Sequence, residues 1–531
     1  MMKNLPIGIQ TFANIIEDGY TYVDKTALIH KLISGGKCYF FARPRRFGKS
    51  LLLSTLSTIF KGQKKLFKGL EIYTTYKTWS KHPVIHLDFL RISTKSPQEF
   101  QESLKRELIR IGNEHGEKIQ APTLQEGLSN LVRKLGKIAP VVILIDEYDK
   151  PIIDHLTKPK LAQAFRNVLK SFFGTLKGLD EYLRFVFITG VSKFSQVSLF
   201  SGMNNLKDIS NNPTYSTIVG YTEDEIIRYF SDHLKIIAKN QKRSIDSIVK
   251  EMRLWYNGYR FTSDPAKVYN PLSTMYFLDT GQIRNYWFNT ATPTFLIDQI
   301  KKMSYPSEEL DGMEVGEEAF DIYDIDHTQL NSLMLQTGYL TIKDYDPATR
   351  LYRLTYPNNE VRLSFLKHLL GGISQVTPPK IEPYLQDCIA SLNKRDLDLF
   401  FRRIRTFFAN IPSDIRIPQE KYYQSILHVL LQLMGFDGEC EVKTNVGRID
   451  MVVQTSKDIY LFEFKKNSRV EKALSQIQKK KYAEKYQGRK KNIIAVGVNF
   501  KTDKGAITDW RGIVYSSEGK KHSELRPSKD D

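Results

Sequence analysis

Val141-Val142-Ile143-Leu144-Ile145 is an unbroken apolar run, mostly β-branched, that ends abruptly in Asp146-Glu147. A strand that is apolar on both faces must be covered on both, as a parallel strand in an α/β sheet is. Two acids closing such a strand form a Walker B pattern: Asp146 is placed to hold Mg²⁺ through water, and Glu147 to polarise an attacking water.

A second strand, Lys37-Cys38-Tyr39-Phe40-Phe41-Ala42, feeds the loop Arg43-Pro44-Arg45-Arg46-Phe47-Gly48-Lys49-Ser50 and then the helical Leu51-Leu52-Leu53-Ser54-Thr55-Leu56. Strand, loop and helix in that order make a P-loop, whose backbone amides and helix N-terminus bind phosphate. Gly48, Lys49, Ser50, Leu51 and Arg46 are the expected ATP-binding residues, with Lys49 on the β and γ groups and Ser50 on Mg²⁺. Arg43 stands where the motif asks for its first glycine. For Arg45-Arg46, phosphate contacts, a finger serving a neighbouring subunit and plain surface arginines all stand open. Val84-Ile85-His86-Leu87-Asp88-Phe89 and Arg184 to Ser192 supply two further strands, and Thr189 and Ser192 at the end of the latter are expected either to sense the γ-phosphate or to cap a helix. The alternation of these strands with helices predicts a doubly wound parallel sheet.

Near the carboxyl end, Gly447 to Val453 and Ile459 to Lys465 read as a hairpin. Alternation puts Glu463 and Lys465 on one face, with Asp450 arriving from the adjacent strand. Two carboxylates suit Mg²⁺, and a lysine beside them can orient a water or steady a phosphate under attack, which is the equipment of a metal-dependent phosphodiesterase. The pattern D-x12-E-x-K resembles the PD-(D/E)XK nuclease family. That resemblance implies catalytic and metal-binding roles for Asp450, Glu463 and Lys465, and places Glu420, at the start of an amphipathic helix, as a further catalytic acid. It also implies a Q-x-x-x-Y element, matched by Gln478 and Tyr482 on a helix running from Ala473; Gln476 is an alternative to Gln478, and core packing is the alternative for Tyr482.

The 531 residues exceed one ordinary core, and two to four domains are expected. The formal charge of +19 favours a polyanion partner. Lys479, Lys480 and Lys481, with Lys485, Arg489, Lys490 and Lys491, are expected to meet nucleic-acid phosphates, against the plainer reading of a solvated face. Cys38, Cys388 and Cys440 are far apart and make no metal-ligand spacing. No stretch approaches the length of an apolar membrane span, so a cytoplasmic protein without a membrane partner is expected.

Val23-Asp24-Lys25-Thr26, the P-loop, Leu144 to Asp149 and Trp255-Tyr256-Asn257-Gly258-Tyr259-Arg260-Phe261 together resemble the bacterial AAA-ATPase-like family fused to a PD-(D/E)XK nuclease domain. In that family the missing first glycine is the usual form. The expected architecture is a P-loop domain over 1–220, a helical lid over 221–285, a mixed, winged-helix-like region over 286–375, a helical linker over 376–415 entered at Pro378-Pro379, an α/β/α nuclease-like domain over 416–515 and a disordered tail over 516–531. Arg260 is read either as a lid residue meeting the nucleotide or as core packing. The expected function is an ATPase whose nucleotide state controls a Mg²⁺-dependent DNA nuclease, with RNA and homo-oligomeric assembly left open. The alternative is a nucleotide-driven switch or scaffold whose nuclease-like domain binds nucleic acid without cutting it.

Overall fold

A computed structural model describes residues 2–193, 199–200, 205–288, 296, 312–320, 330–374, 378–409, 426, 429–430, 433–434, 437–444, 447–501 and 506–527. The chain divides into two compact units, one formed by Met1–Phe295 with Gly312–Arg362 and the other by Leu296–Asp311 with Leu363–Asp531.

In the first unit, β1 (Cys38–Ala42), β2 (Val84–Asp88), β3 (Val141–Asp146), β4 (Leu183–Gly190) and the short β5 (Lys207–Asp208) form a parallel sheet in the order β2-β3-β4-β1-β5. β1 and β3 are buried along their whole length, as their unbroken apolar runs require. Adjacent residues of β1 serve opposite faces. Phe41 meets Phe187 in the row that continues through Phe185 to Phe60 of the P-loop helix, while Phe40 packs on Tyr148, which packs on Phe173 of helix Pro159–Lys177. The sheet is therefore covered on both sides.

Beyond it, Thr222 and Glu225 form the capping box that opens helix Glu223–Tyr229. Helices Ser231–Gln241, Ile245–Tyr256 and Pro271–Thr280 follow, sharing a core of Phe230, Leu234, Ile248, Met252, Tyr256 and Phe277. β6 (Glu314–Val315) comes before helix Leu330–Thr337, and β7 (Thr341–Asp346) and β8 (Leu351–Thr355) follow it, the three strands forming an antiparallel sheet in the order β6-β8-β7. The helix-then-hairpin pattern is thus present, and this segment packs with the P-loop sheet as part of the same unit.

The second unit carries a six-stranded sheet, β14-β13-β12-β11-β10-β9, built from β9 (Asp437–Thr444), β10 (Gly447–Gln454), β11 (Asp458–Lys466), β12 (Asn492–Lys501), β13 (Ala506–Tyr515) and β14 (Lys521–Leu525). Only β11 and β12 pair in parallel, joined by a crossover that contains helix Val470–Lys479. That helix lies over Ile459, Leu461 and Ile493. The other face receives helix Leu397–Ala409, with Phe401 stacked on Trp510 and Phe400 on Phe462.

Pro378-Pro379 begin helix Pro378–Lys394, because the first turn of a helix tolerates residues without a free N–H. One expectation is corrected here. The tail is ordered as β14 through its ladder to β13, Gly512 opposite Leu525 and Val514 opposite Ser523. An edge strand draws its hydrogen bonds from its neighbour and needs no apolar alternation, and the charges of Lys521 and Glu524 suit an exposed edge.

Candidate nucleotide site and candidate metal centre

Gly48, at φ 91°, caps the P-loop helix Lys49–Phe60 in a left-handed conformation that a side chain would strain. The residues around it are bonded to one another. The Ser50 hydroxyl donates to Asp146 Oδ2 at 2.6 Å, and the Thr189 hydroxyl donates to Asp146 Oδ1 at 2.6 Å. Lys49 Nζ donates to the carbonyls of Arg43 and Pro44 at 3.0 and 3.1 Å and lies 3.9 Å from Glu147 Oε1. Glu147 sits at φ 52°, and burial raises its carboxyl above the ordinary range while the Lys49 charge opposes that rise. Gly48, Lys49, Ser50 and Leu51 line a cavity of about 380 Å³ together with Arg46 and Glu147, closed on another side by Tyr221, Leu272 and Met275 of the helical region. Its size is that of a small-ligand pocket.

Arg43 explains the missing glycine. Its side chain turns away from the phosphate loop, is buried, donates to the carbonyls of Ala42 and Ser210 at 2.9 and 2.7 Å, and lies over the rings of Phe41 and Phe261. Burial depresses its guanidinium to about 9. The residue therefore ties the P-loop to the Tyr259-Arg260-Phe261 segment, where Phe47 also packs edge-on against Tyr259 and Phe261.

Arg260 is the packing residue of the two alternatives. It is buried and donates to the carbonyls of Thr262, Asp264 and Lys343. Ser192 is likewise turned inward, giving its hydroxyl to Asp149 at 2.6 Å. Asp149 also accepts from the amides of Val191 and Ser192, and the Tyr148 hydroxyl donates to the Ser192 carbonyl. The acids' own neighbours thus pin the loop after β4. The sequence signal for this was the extension of Asp146-Glu147 into Tyr148-Asp149.

In the second unit, Met451 pairs with Phe462, so the same antiparallel register carried one residue further brings Asp450 opposite Glu463. Asp450 Oδ2 accepts from the Phe464 amide at 2.8 Å. Glu463 is completely buried, and Lys465 Nζ donates to its Oε1 at 3.0 Å. Its other oxygen, Oε2, is buried with no hydrogen-bond partner among the described residues. Burial first, and then the charge of Asp450, raise the Glu463 carboxyl to about 7. A buried carboxylate oxygen without a donor costs on the order of 1–3 kcal/mol, and a divalent cation shared with Asp450 is the group that relieves both terms. The residues present therefore fit Mg²⁺. Among the described residues no third acid, histidine or cysteine joins the pair. Glu420 lies outside the described residues.

Gly497, beside Glu463 on β12, has no side chain to hold the next helix away: a Cβ there would lie 2.8 Å from the Val470 carbonyl. The first turn of Val470–Lys479 thus sits by the acids and its last turn at the far end of the sheet. Asn492, at that far end, pairs with Asp458, five residues from Glu463, or about 16 Å along a strand. Lys479, Lys480 and Lys481 are exposed there, so the expected basic cluster flanks the acid pair at a distance instead of surrounding it. The helix also stops early. Lys481 is left-handed at φ 49°, which puts Tyr482 in a separate 3-10 turn and off the face shared with Gln478. Tyr482 is buried among Leu461, Leu474 and Ile493, and Gln478 is exposed with its amide 3.3 Å from the Tyr515 hydroxyl. Of the two readings of Tyr482, core packing describes its surroundings.

A sequence profile described as a predicted AAA-ATPase matches residues 6–200, and one for the PD-(D/E)XK nuclease superfamily matches residues 418–510. An uncharacterized protein in the vnfD 5′ region of Azotobacter chroococcum mcd 1 is 37% identical over 536 residues, spanning 97% of this chain and 99% of that protein. The chain belongs to the AAA-ATPase-like family and carries a PD-(D/E)XK nuclease-superfamily domain at its carboxyl end. Among the described residues no helix is long and apolar enough to cross a membrane.

Proposed function

We propose that this chain is an ATPase whose nucleotide state governs a Mg²⁺-dependent endonuclease acting on DNA in the cytoplasm, in DNA processing or in defence against mobile DNA. The observation that carries the nuclease half is the buried Oε2 of Glu463, without a partner among the described residues, beside Asp450 and Lys465. When bound, Mg²⁺ would supply Lewis acidity at the scissile phosphate and a water of lowered pKa. Asp450 and Glu463 hold the cation, Lys465 steadies the attacked phosphate or orients the water, and Glu420 completes the site. On the ATPase side Lys49 binds the β and γ groups, Ser50 and Asp146 hold Mg²⁺, Glu147 polarises water, and Arg46 reaches phosphate from the cavity wall. Lys479, Lys480, Lys481 and Gln478 contact the nucleic acid beyond the cleavage point. The working boundaries are 1–220 for the P-loop domain, 221–285 for the lid, 286–375 and 376–415 for the connecting regions, and 416–515 for the nuclease.

Purified full-length protein with Mg²⁺ or Mn²⁺ tests this on plasmid DNA, with and without ATP. Cleavage that is lost in Asp450→Ala and that changes with nucleotide supports the proposal. Cleavage unchanged in Asp450→Ala removes the assigned site, and a chain that binds DNA with no cutting in any nucleotide state returns the scaffold reading.

A further inference from the structure

The loops that must respond when a nucleoside triphosphate binds or is cleaved are the P-loop and the loop after β4. Both meet the same stretch of chain, residues 330–362. Gly338 is at φ 89°, and a Cβ there would lie 2.8 Å from Cβ and Cγ of Pro44, so the P-loop proline rests directly on this turn. Two residues earlier, Gln336 Oε1 accepts the Lys193 amide at 2.7 Å, next to the Ser192 that Asp149 holds. The P-loop and the post-β4 loop thus both meet the carboxyl end of helix Leu330–Thr337 and the turn that follows it.

Glu360 gathers two further connections. Its Oε1 accepts the Trp287 amide at 2.7 Å, and the Trp287 indole in turn donates to the carbonyl of Arg45 in the P-loop at 3.1 Å. Its Oε2 accepts the hydroxyl of Ser273 at 2.7 Å, on the helix whose Leu272 and Met275 line the nucleotide cavity. Glu360 itself is completely buried and sits in the first turn of helix Asn359–Ser374. The neighbouring Asn358 fastens that turn to the Asn257 carbonyl at 2.8 Å. The first unit ends at Arg362, and the chain of the second resumes at Leu363 within this same helix.

We propose that segment 330–362 is the nucleotide-state reader of the protein, with Gln336 and Glu360 as positioning residues that convert the state of the P-loop, the post-β4 loop and the lid into the state of helix Asn359–Ser374. The helical lid, which closes one side of the cavity, is on this account an input to Glu360 and not the output. The inference deepens the proposed nucleotide control and rests on it only for what the helix then does to cleavage.

Hydrogen exchange on the full chain, with and without Mg²⁺ and a non-hydrolysable ATP analogue, tests it in wild type, Glu360→Gln and Gln336→Leu, with Lys49→Ala as the nucleotide-blind control. Nucleotide is expected to slow exchange over 359–374 by at least about fivefold in wild type, a modest coupling free energy, and to leave that segment unchanged in Lys49→Ala. Gln336→Leu and Glu360→Gln should keep analogue binding while losing the response at 359–374, an uncoupling that mere loss of stability would not produce. A response confined to 223–280 in wild type overturns the inference, as does an undiminished response at 359–374 in both variants. Should 359–374 respond while DNA cleavage ignores nucleotide, the reader stands and the proposed control of the nuclease falls.

Discussion

At the P-loop, Ser50, Thr189 and Lys49 give their hydrogen bonds to Asp146 and to backbone carbonyls, whereas in the carboxyl-terminal sheet Glu463 keeps one buried oxygen with no donor among the described residues. The first arrangement is closed on itself, so under the proposed function a nucleotide would have to replace Ser50 at Asp146 and draw Lys49 off its carbonyls. Binding there would reorganise the loop, which is what a switch needs. The second arrangement holds two carboxylates in fixed register, with the cost of their proximity built in, and the proposed cation would enter without rearranging the strands. On that proposal one site changes with its ligand and the other stands ready for it.

The largest effect that sharpens this contrast is chemical. Glu147→Gln should lower ATP hydrolysis by about 10²–10⁴-fold, the range for a lost general base, while leaving nucleotide binding intact; phosphate release and a binding titration measure the two. Arg43→Gly, which restores the motif's first glycine, should destabilise the first unit by on the order of 3 kcal/mol through loss of two charged hydrogen bonds and the stacking on Phe41 and Phe261. A thermal melt showing that variant unharmed would mean that the buried guanidinium is not what secures this P-loop.

Glu360 gives a pH test. Burial lifts its carboxyl from the ordinary 4.5 to about 7. Between those values the folded chain holds the proton that the unfolded chain releases. Its contribution to stability is therefore full below pH 4.5 and is lost as pH rises to 7, by on the order of 3 kcal/mol. Glu360→Gln should flatten that slope in melts of the first unit at pH 5 and pH 7.5.

A smaller effect is expected at the acid pair. Glu463→Gln removes a buried charge of which Lys465 serves only Oε1, Oε2 having no partner among the described residues, so in chelator it should stabilise the second unit by about 1–2 kcal/mol, and added Mn²⁺ should no longer raise the melting temperature. Stabilisation by Mn²⁺ that persists in this variant would place the cation elsewhere. Smallest of all, changing Lys479, Lys480 and Lys481 together to alanine should weaken DNA binding and reduce its salt slope by about 1 for each phosphate no longer neutralised, with little change in the cleavage rate of bound DNA.

What the sequence disclosed follows from how local each signal is. β1, β3, the P-loop and the pairing of Asp450 with Glu463 all rest on apolar runs, alternation and short turns, and these are written within a few residues. Helix Val470–Lys479 ends without glycine or proline: Lys481 takes the left-handed conformation under tertiary packing that buries Tyr482, so the helix appeared to run one turn longer. The inward turn of Ser192 depends on Asp149 from another strand end, and the burial of Arg43 on Ser210 and Phe261, far along the chain. Glu360 carried no local signal, since its partners are Trp287 and Ser273. The place of the lysine cluster relative to the acids became legible only through the register of β11 with β12.

The account stands most directly on the cation at Glu463. Anomalous diffraction from crystals of the full-length protein soaked in Mn²⁺ should show a peak about 2.0–2.6 Å from both Glu463 Oε2 and an Asp450 carboxylate oxygen. A map with no peak between these two side chains, with both carboxylates clearly ordered, would contradict it.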